Sequence, residues 1–311
     1  MPSPRTSIAA LLAALSLSAC REPAAPPTEV PPLPRLTLDD PVLRGVSGMA
    51  LIPNSNEPLQ YLVVPERGRH IVPVVLSGSD SDDIEVRSGP AIPMRGVPEG
   101  MDTESIAFFR PESDPTQIVL GTETHSPRST DALLLGEMTP AAFEVRKVVP
   151  LDYAAWSMTA EKNRGLEGVC AVEGRIVAVS ETLDERNGQR WAPTAIYDVE
   201  TEEWTYHRVG LETRDGKLSG LSCVGGERGQ IVVSAIERHY ETMHLIRFVL
   251  GDMPDVSSQD LVDLAPGIGA NPPNLEGLAR AKDGFLLVTD NDNGQVAGLT
   301  EAILWRPRAA P

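Results

Sequence analysis

Eight acidic side chains stand at two recurring places in this sequence. Glu104, Glu167 and Glu276 each precede a small residue that opens an apolar run, and Ser47 and Ser219 hold the same place in two further copies. Glu66, Glu123, Glu181, Glu237 and Asp290 each end the second apolar run of a copy. Carboxylates gathered at one spot repel, so they need a bound cation or Arg and Lys partners. Calcium suits such a set, because it accepts about six to eight oxygens in loose geometry. Zinc does not, since no closed set of His and Cys is present. Arg67, Arg128, Lys162, Arg164 and Arg238 fall near the same ends, where they would pair the acids or hold an anionic substrate. The alternative is structural: acids that stitch sheets together or sit solvated on a rim.

Two histidines follow these acids at one offset, in Glu123-Thr124-His125 and Glu237-Arg238-His239. Residues two apart share a strand face, which sets each imidazole beside its carboxylate. His125 and His239 are therefore candidate acids or bases near neutral pH, with Arg238 to orient an anion. A rim histidine without a task is the competing explanation. Other motifs fail. There is no G-x-S-x-G elbow. His239 to His244 (HYETMH) is not H-E-x-x-H. The run Asp290-Asn291-Asp292-Asn293-Gly294 imitates the start of an EF-hand loop, but Gln295 stands where Gly is required, and no flanking helices are evident. Gly210 to Lys217 is mis-spaced for a phosphate loop.

The elements that must carry these residues repeat. Small residues at 48, 105, 168, 220 and 277 open the copies, separated by 57, 63, 52 and 57 positions. Each copy reads as a Glu-Gly, Glu-Ser or Ser-Gly turn, a short apolar strand, a tight turn, a second strand with an acidic tip, and two further strands. The last copy supplies only three strands. An orphan segment, residues 35–39 (RLTLD), precedes the first copy and can pair with residues 302–307. This predicts an all-β chain: a β-propeller of five four-stranded blades over 35–307, closed by its N-terminal strand. Closure in one blade removes an exposed sheet edge. The small residues let the inner strands crowd the axis, and the antiparallel second strands bring both sets of acids to one mouth.

The chain of 311 residues carries a formal net charge of −17, which excludes nucleic acid and anionic bilayers as natural partners. It has three cysteines, too few for a disulfide scaffold. Cys170 and Cys223 lie on inner strands one position out of step, so they are expected as buried free thiols. Residues 1–19 read as a secretory leader, with Arg5 followed by an apolar run. The end of that run, Leu17-Ser18-Ala19-Cys20, resembles the lipobox of bacterial lipoproteins. The resemblance implies cleavage before Cys20, a lipid on its thiol and, with Arg21 following in place of Asp, the outer membrane. Ordinary secretion is the alternative. The proline-rich stretch 20–34 is an extended tether.

The acid-Gly-apolar turn and acidic tip, carried by Glu167-Gly168-Val169, Glu276-Gly277-Leu278-Ala279 and Val288-Thr289-Asp290-Asn291, resemble the phytase-like propeller families. The nearest group is described as having esterase-like activity of phytase. The resemblance spans roughly residues 40–307 and implies an envelope-bound, calcium-dependent hydrolase of phosphate or other esters. The chain is also similar to gluconolactonase-type propellers, whose axial metal polarises a lactone. Basic residues near the tips are few, which argues against highly charged phytate. The expected protein is thus a monomer, joined to the membrane only through its lipid, that hydrolyses a small ester or phosphate ester with calcium. The other class of explanation is a non-catalytic, lipid-anchored propeller that binds a protein or glycan.

Overall fold

Nearly every apolar run of the sequence becomes a strand. The computed structural model describes residues 32–78, 84–125, 130–162, 164–239, 242–269, 274–290 and 300–307. The expected leader, Cys20 and the tether as far as residue 31 lie outside the described residues, as do Arg128, Asn291 and Asp292. Among the described residues no helix is long and apolar enough to cross a membrane.

The strands form antiparallel units in chain order. The first comprises Val46–Leu51, Leu59–Pro65, His70–Ser77 and Glu85–Ser88. The second comprises Met101–Phe108, Gln117–Thr124, Ala132–Met138 and Phe143–Pro150. The short strand Ile92–Arg95 pairs with both and joins them into one hydrogen-bonded sheet. Leu166–Val172, Arg175–Ser180, Gln189–Asp198 and Glu203–Gly210 make the third. Lys217–Gly225, Ile231–His239, Thr242–Leu250 and Gln259–Asp263 make the fourth. The fifth has Asn274–Ala281, Gly284–Asp290 and Thr300–Trp305, and its fourth strand is Arg35–Leu38, in register from Arg35 opposite Ile303 to Leu38 opposite Thr300. The closing strand is therefore where the sequence predicts it. Local chemistry sets the hairpins: Glu173 and Gly174, with φ of 50° and 77°, form the two-residue turn that matches strand twist.

The first strands of the units contact one another in order, and that of the fifth contacts that of the first. Among the described residues these inner strands close a ring, and the fold is an all-β propeller. Apolar clusters fill the interfaces between neighbouring units. Leu62, Ile106 and Leu120 pack between the first and second, Val119, Leu133 and Ile176 between the second and third, and Val177, Val233 and Phe248 between the third and fourth. Ile236, Leu245 and Leu287 pack between the fourth and fifth, and Tyr61, Val288 and Leu304 between the fifth and first. Each sheet thus buries both faces, which is what a ring of sheets requires and a two-sheet sandwich does not.

Two expectations need correction. Cys170 and Cys223 are not free thiols. They form a disulfide between the inner strands of the third and fourth units, with Cα atoms 5.6 Å apart. Those two strands belong to different sheets and meet edge to edge rather than in a hydrogen-bonded register, so an offset of one position does not part the side chains. The Glu-Gly pairs are not turns either. They lie inside the inner strands, as the next section describes.

Candidate active site at the axial mouth

Each inner strand carries a β-bulge near its start. The register shifts fall between Val46 and Gly48, Thr103 and Ser105, Leu166 and Gly168, Leu218 and Leu221, and Leu275 and Gly277. The residues left without a cross-strand partner are Ser47, Glu104, Glu167, Ser219 with Gly220, and Glu276. A bulge re-aims the side chain of its extra residue without ending the strand. The five-fold repetition of this defect therefore turns the polar residue of each unit away from the sheet and toward the axis. The small residue that follows permits the crowding. A Cβ added to Gly220 would stand 2.5 Å from the Leu278 backbone nitrogen and 2.6 Å from the Glu276 backbone carbonyl oxygen.

Glu104, Glu167 and Glu276 are all buried, at 6%, 8% and 6% exposure. Burial raises the Glu104 carboxyl well above the ordinary range, and Glu167, Glu123, Glu66 and Glu276 add repulsion. Its Oε1 is buried and has no hydrogen-bond partner among the described residues. Glu167 and Glu276 are also raised, first by burial, but cations oppose the effect: Lys217 and Arg238 for Glu167, and chiefly Arg238 for Glu276. Arg238 pairs directly with Glu276 and lies 3.6 Å from Glu167. Burial would discharge the guanidinium, yet these carboxylates outweigh it and hold Arg238 charged. Asn274 Nδ2 donates to Glu276 at 2.7 Å. Lys217 pairs with Glu181, although burial and Arg238 lower its pKa.

The acidic tips divide. Oxygens of Glu66, Asp102 and Glu104 lie within 4.8 Å of one another, and so do those of Glu123, Glu167 and Glu181. Burial raises both Glu66 and Glu123. Asp290 reaches the same region, since its charge acts on Glu66 and Arg238. Glu237 does not join them. Its carboxylate accepts from the Glu212 nitrogen at 2.9 Å, the Thr213 nitrogen at 2.8 Å and the Thr213 hydroxyl, and so pins the loop before the fourth unit. The two histidines also part company. His125 pairs through Nε2 with Asp102 beside the first carboxylate group. His239 lies toward Lys217 and Arg190, with its pKa lowered first by burial and then by Lys217.

The mouth thus holds two adjoining oxygen-rich positions, one buried and one half-buried cation already committed to carboxylates, and an imidazole–carboxylate pair at the rim. Such oxygens can hold protons or a hard cation. A family model for the phytase-like proteins, described as "Esterase-like activity of phytase", matches residues 41–293. The chain belongs to this phytase-like family. No curated protein matches it. Solved structures similar in outline to this phytase-like chain include a thermostable family-43 glycoside hydrolase (10% identity, 86% of this chain and 90% of that one, TM-score 0.49). Others are the soluble aldose sugar dehydrogenase of Escherichia coli (10%, 87% and 98%, TM-score 0.44) and an α-L-arabinanase of Penicillium chrysogenum (10%, 88% and 85%, TM-score 0.43). At these scores none bears on the chemistry of the phytase-like mouth.

Three members of the site escape a reading based on the repeated acids. Asp102, Lys217 and Asn274 stand at or near the starts of inner strands, before the bulge, and face the tips through the ladder: Asp102 opposite Glu123, Lys217 opposite Arg238, Asn274 opposite Asp290. The signal that finds Asp102 and Asn274 is position, since a residue opposing an acidic tip in an antiparallel pair lies at the same end of the sheet. Lys217 stands opposite Arg238, one place beyond the Glu237 tip.

Proposed function

We infer that this phytase-like protein is a calcium-dependent hydrolase of a small phosphate or carboxyl ester, acting at the mouth of the propeller axis. The buried, unpartnered oxygen of Glu104 among like charges carries the inference. A carboxylate in that setting costs stability unless a proton or a cation compensates it. The donor set is all oxygen and loosely arranged, which fits calcium. Glu66, Asp102 and Glu104 would hold one ion, and Glu123, Glu167 and Glu181 border a second position. The chemistry calcium supplies when bound is charge neutralisation and polarisation of an ester oxygen.

The remaining roles fall to this chain's own residues. Asp102 orients His125, whose imidazole is the rim group able to hold or release a proton near neutral pH. Arg238 anchors Glu167 and Glu276 and directs positive charge at an anionic oxygen. His239 and Asp290 line the outer mouth, while Glu237 supports the wall. Arg238 and Lys217 are both shared with carboxylates, which favours a substrate of low charge over a polyphosphate. The test is hydrolysis of nitrophenyl phosphate, nitrophenyl acetate and a simple lactone before and after chelation. Activity that EDTA abolishes and calcium restores supports the inference; activity indifferent to both refutes it.

The same reading places the protein in a bacterial envelope, tethered through a lipid on Cys20, with the propeller on the periplasmic or outer-membrane side and acting as a monomer. Cys20→Ala should release the protein from the membrane fraction. Retention of that variant in membranes would refute the anchor.

A further inference from the structure

A cavity of about 570 Å³ opens between the fourth and fifth units, at the end of the ring opposite the acidic mouth. That volume lies in the range of small-molecule pockets. Its origin is a departure from the repeat. Two steps beyond each bulge, a row of three side chains runs across the sheet and faces the next unit. In the first unit the row is Ala50, Leu62 and Pro73; in the second, Ala107, Val119 and Leu135. In the third it is Cys170, Val177 and Ile196; in the fifth, Ala279, Leu286 and Leu304. All four rows are apolar, and all their side chains but Pro73 sit in or against the clusters between units. In the fourth unit the row is Ser222, Ser234 and Arg247. Ser234 stands where the other units have a Leu or Val and cannot fill that volume, so the interface that Ile236, Leu245 and Leu287 close near the mouth stays open at its far end.

The opposite wall belongs to the fifth unit. Arg280, Phe285 and Trp305 form a row across that sheet, and the two rings stack at 6.0 Å with planes 24° apart. Lys282 and Arg306 border the opening with Asp283. Among the described residues lining the cavity, four cations against one carboxylate is the reverse of a chain whose net charge is −17. A cleft with a flat apolar wall and a cationic margin is complementary to one kind of occupant.

We propose that the cleft between the fourth and fifth units is a binding site for a small, ring-bearing organic anion. Its ring lies against Trp305 and Phe285, and its carboxylate or phosphate is held by Arg247 and Arg280. This site is separate from the carboxylate mouth and does not depend on the hydrolytic reading.

The experiment uses the purified folded protein and anilinonaphthalene sulfonate as a fluorescent ring-bearing anion. Saturable binding near one equivalent is expected, displaced by benzoate or phenyl phosphate but not by benzyl alcohol. Ser234→Leu restores the residue type of the first and fifth rows and narrows the cleft beside the ring wall; it should weaken the probe about tenfold or more while melting as cooperatively as the parent. Arg247→Gln with Arg280→Gln should weaken it comparably and abolish the preference for the anionic competitors. The proposal is overturned by an absence of saturable binding to the parent, by displacement with benzyl alcohol as effective as with benzoate, or by probe affinity unchanged in folded Ser234→Leu.

Discussion

Glu104→Gln should stabilise the protein without calcium and destabilise it relative to the parent with calcium. Glu104 is 6% exposed, one of its oxygens has no partner among the described residues, and four carboxylates surround it. Leaving such a group buried and uncompensated costs about 1–3 kcal/mol. Each kcal/mol corresponds to about 2–4 °C in Tm for a domain approaching this size, so the variant in EDTA at pH 8 should melt roughly 3–10 °C above the parent. Calcium at about a hundred times its Kd should add about 2.7 kcal/mol to the parent, raising its Tm by roughly 5–10 °C. The variant loses a ligand and should gain less than half of that. The assay is a pair of calorimetric melts for each protein, in EDTA and in calcium. A Glu104→Gln protein that melts below the parent in EDTA, or that calcium stabilises fully, would show that Glu104 is a settled structural acceptor and not part of a cation site.

Three further outcomes follow. Burial raises Glu104, Glu167 and Glu276 above the ordinary glutamate value of 4.5, so without calcium the folded state keeps protons that the unfolded chain has already lost. Stability in EDTA should therefore fall as pH rises above the ordinary glutamate value, and calcium should flatten that slope; a calcium-free Tm that climbs with pH there contradicts the assignment. Gly220→Ala should lower Tm by several degrees, consistent with about 1–3 kcal/mol of overpacking against backbone, whereas Gly225→Ala, which would meet nothing within 4 Å, should leave it nearly unchanged. Equal melts for the two would remove the close approach of inner strands as a constraint. Reduction of the Cys170–Cys223 disulfide, which spans 53 positions, should cost about 4 kcal/mol on the chain-entropy estimate; a denaturation midpoint unmoved by reductant would refute it.

Much of this was legible in the residues. The spacing of small residues, the missing strand of the last unit and the orphan segment at Arg35 identify a ring closed by its own N-terminal strand, because sheet edges and periodic turns leave direct traces in sequence. The acids before Ser105, Gly168 and Gly277 are visible for the same reason. Their cause is not. A bulge and a tight turn use the same Glu-Gly pair, and only the pairing on both sides of Glu167 shows that the strand continues. Glu237 repeats the pattern of Glu66 and Glu123 but is captured by Thr213, since a loop nitrogen competes for a carboxylate as well as a cation does. Asp102 and Lys217 depend on cross-strand register, and the disulfide on how two sheets meet edge to edge. Ser222, Ser234 and Arg247 look like ordinary alternation until their row is aligned with the apolar rows of the other units.

The central claim is that the oxygens gathered at the axial mouth hold a hard cation. Equilibrium dialysis of the purified protein against buffered calcium at neutral pH tests it most directly. The account predicts at least one retained calcium per chain, reduced in Glu104→Gln and unaffected in Glu237→Gln where that variant folds. A parent protein that retains no calcium at millimolar concentration would contradict it.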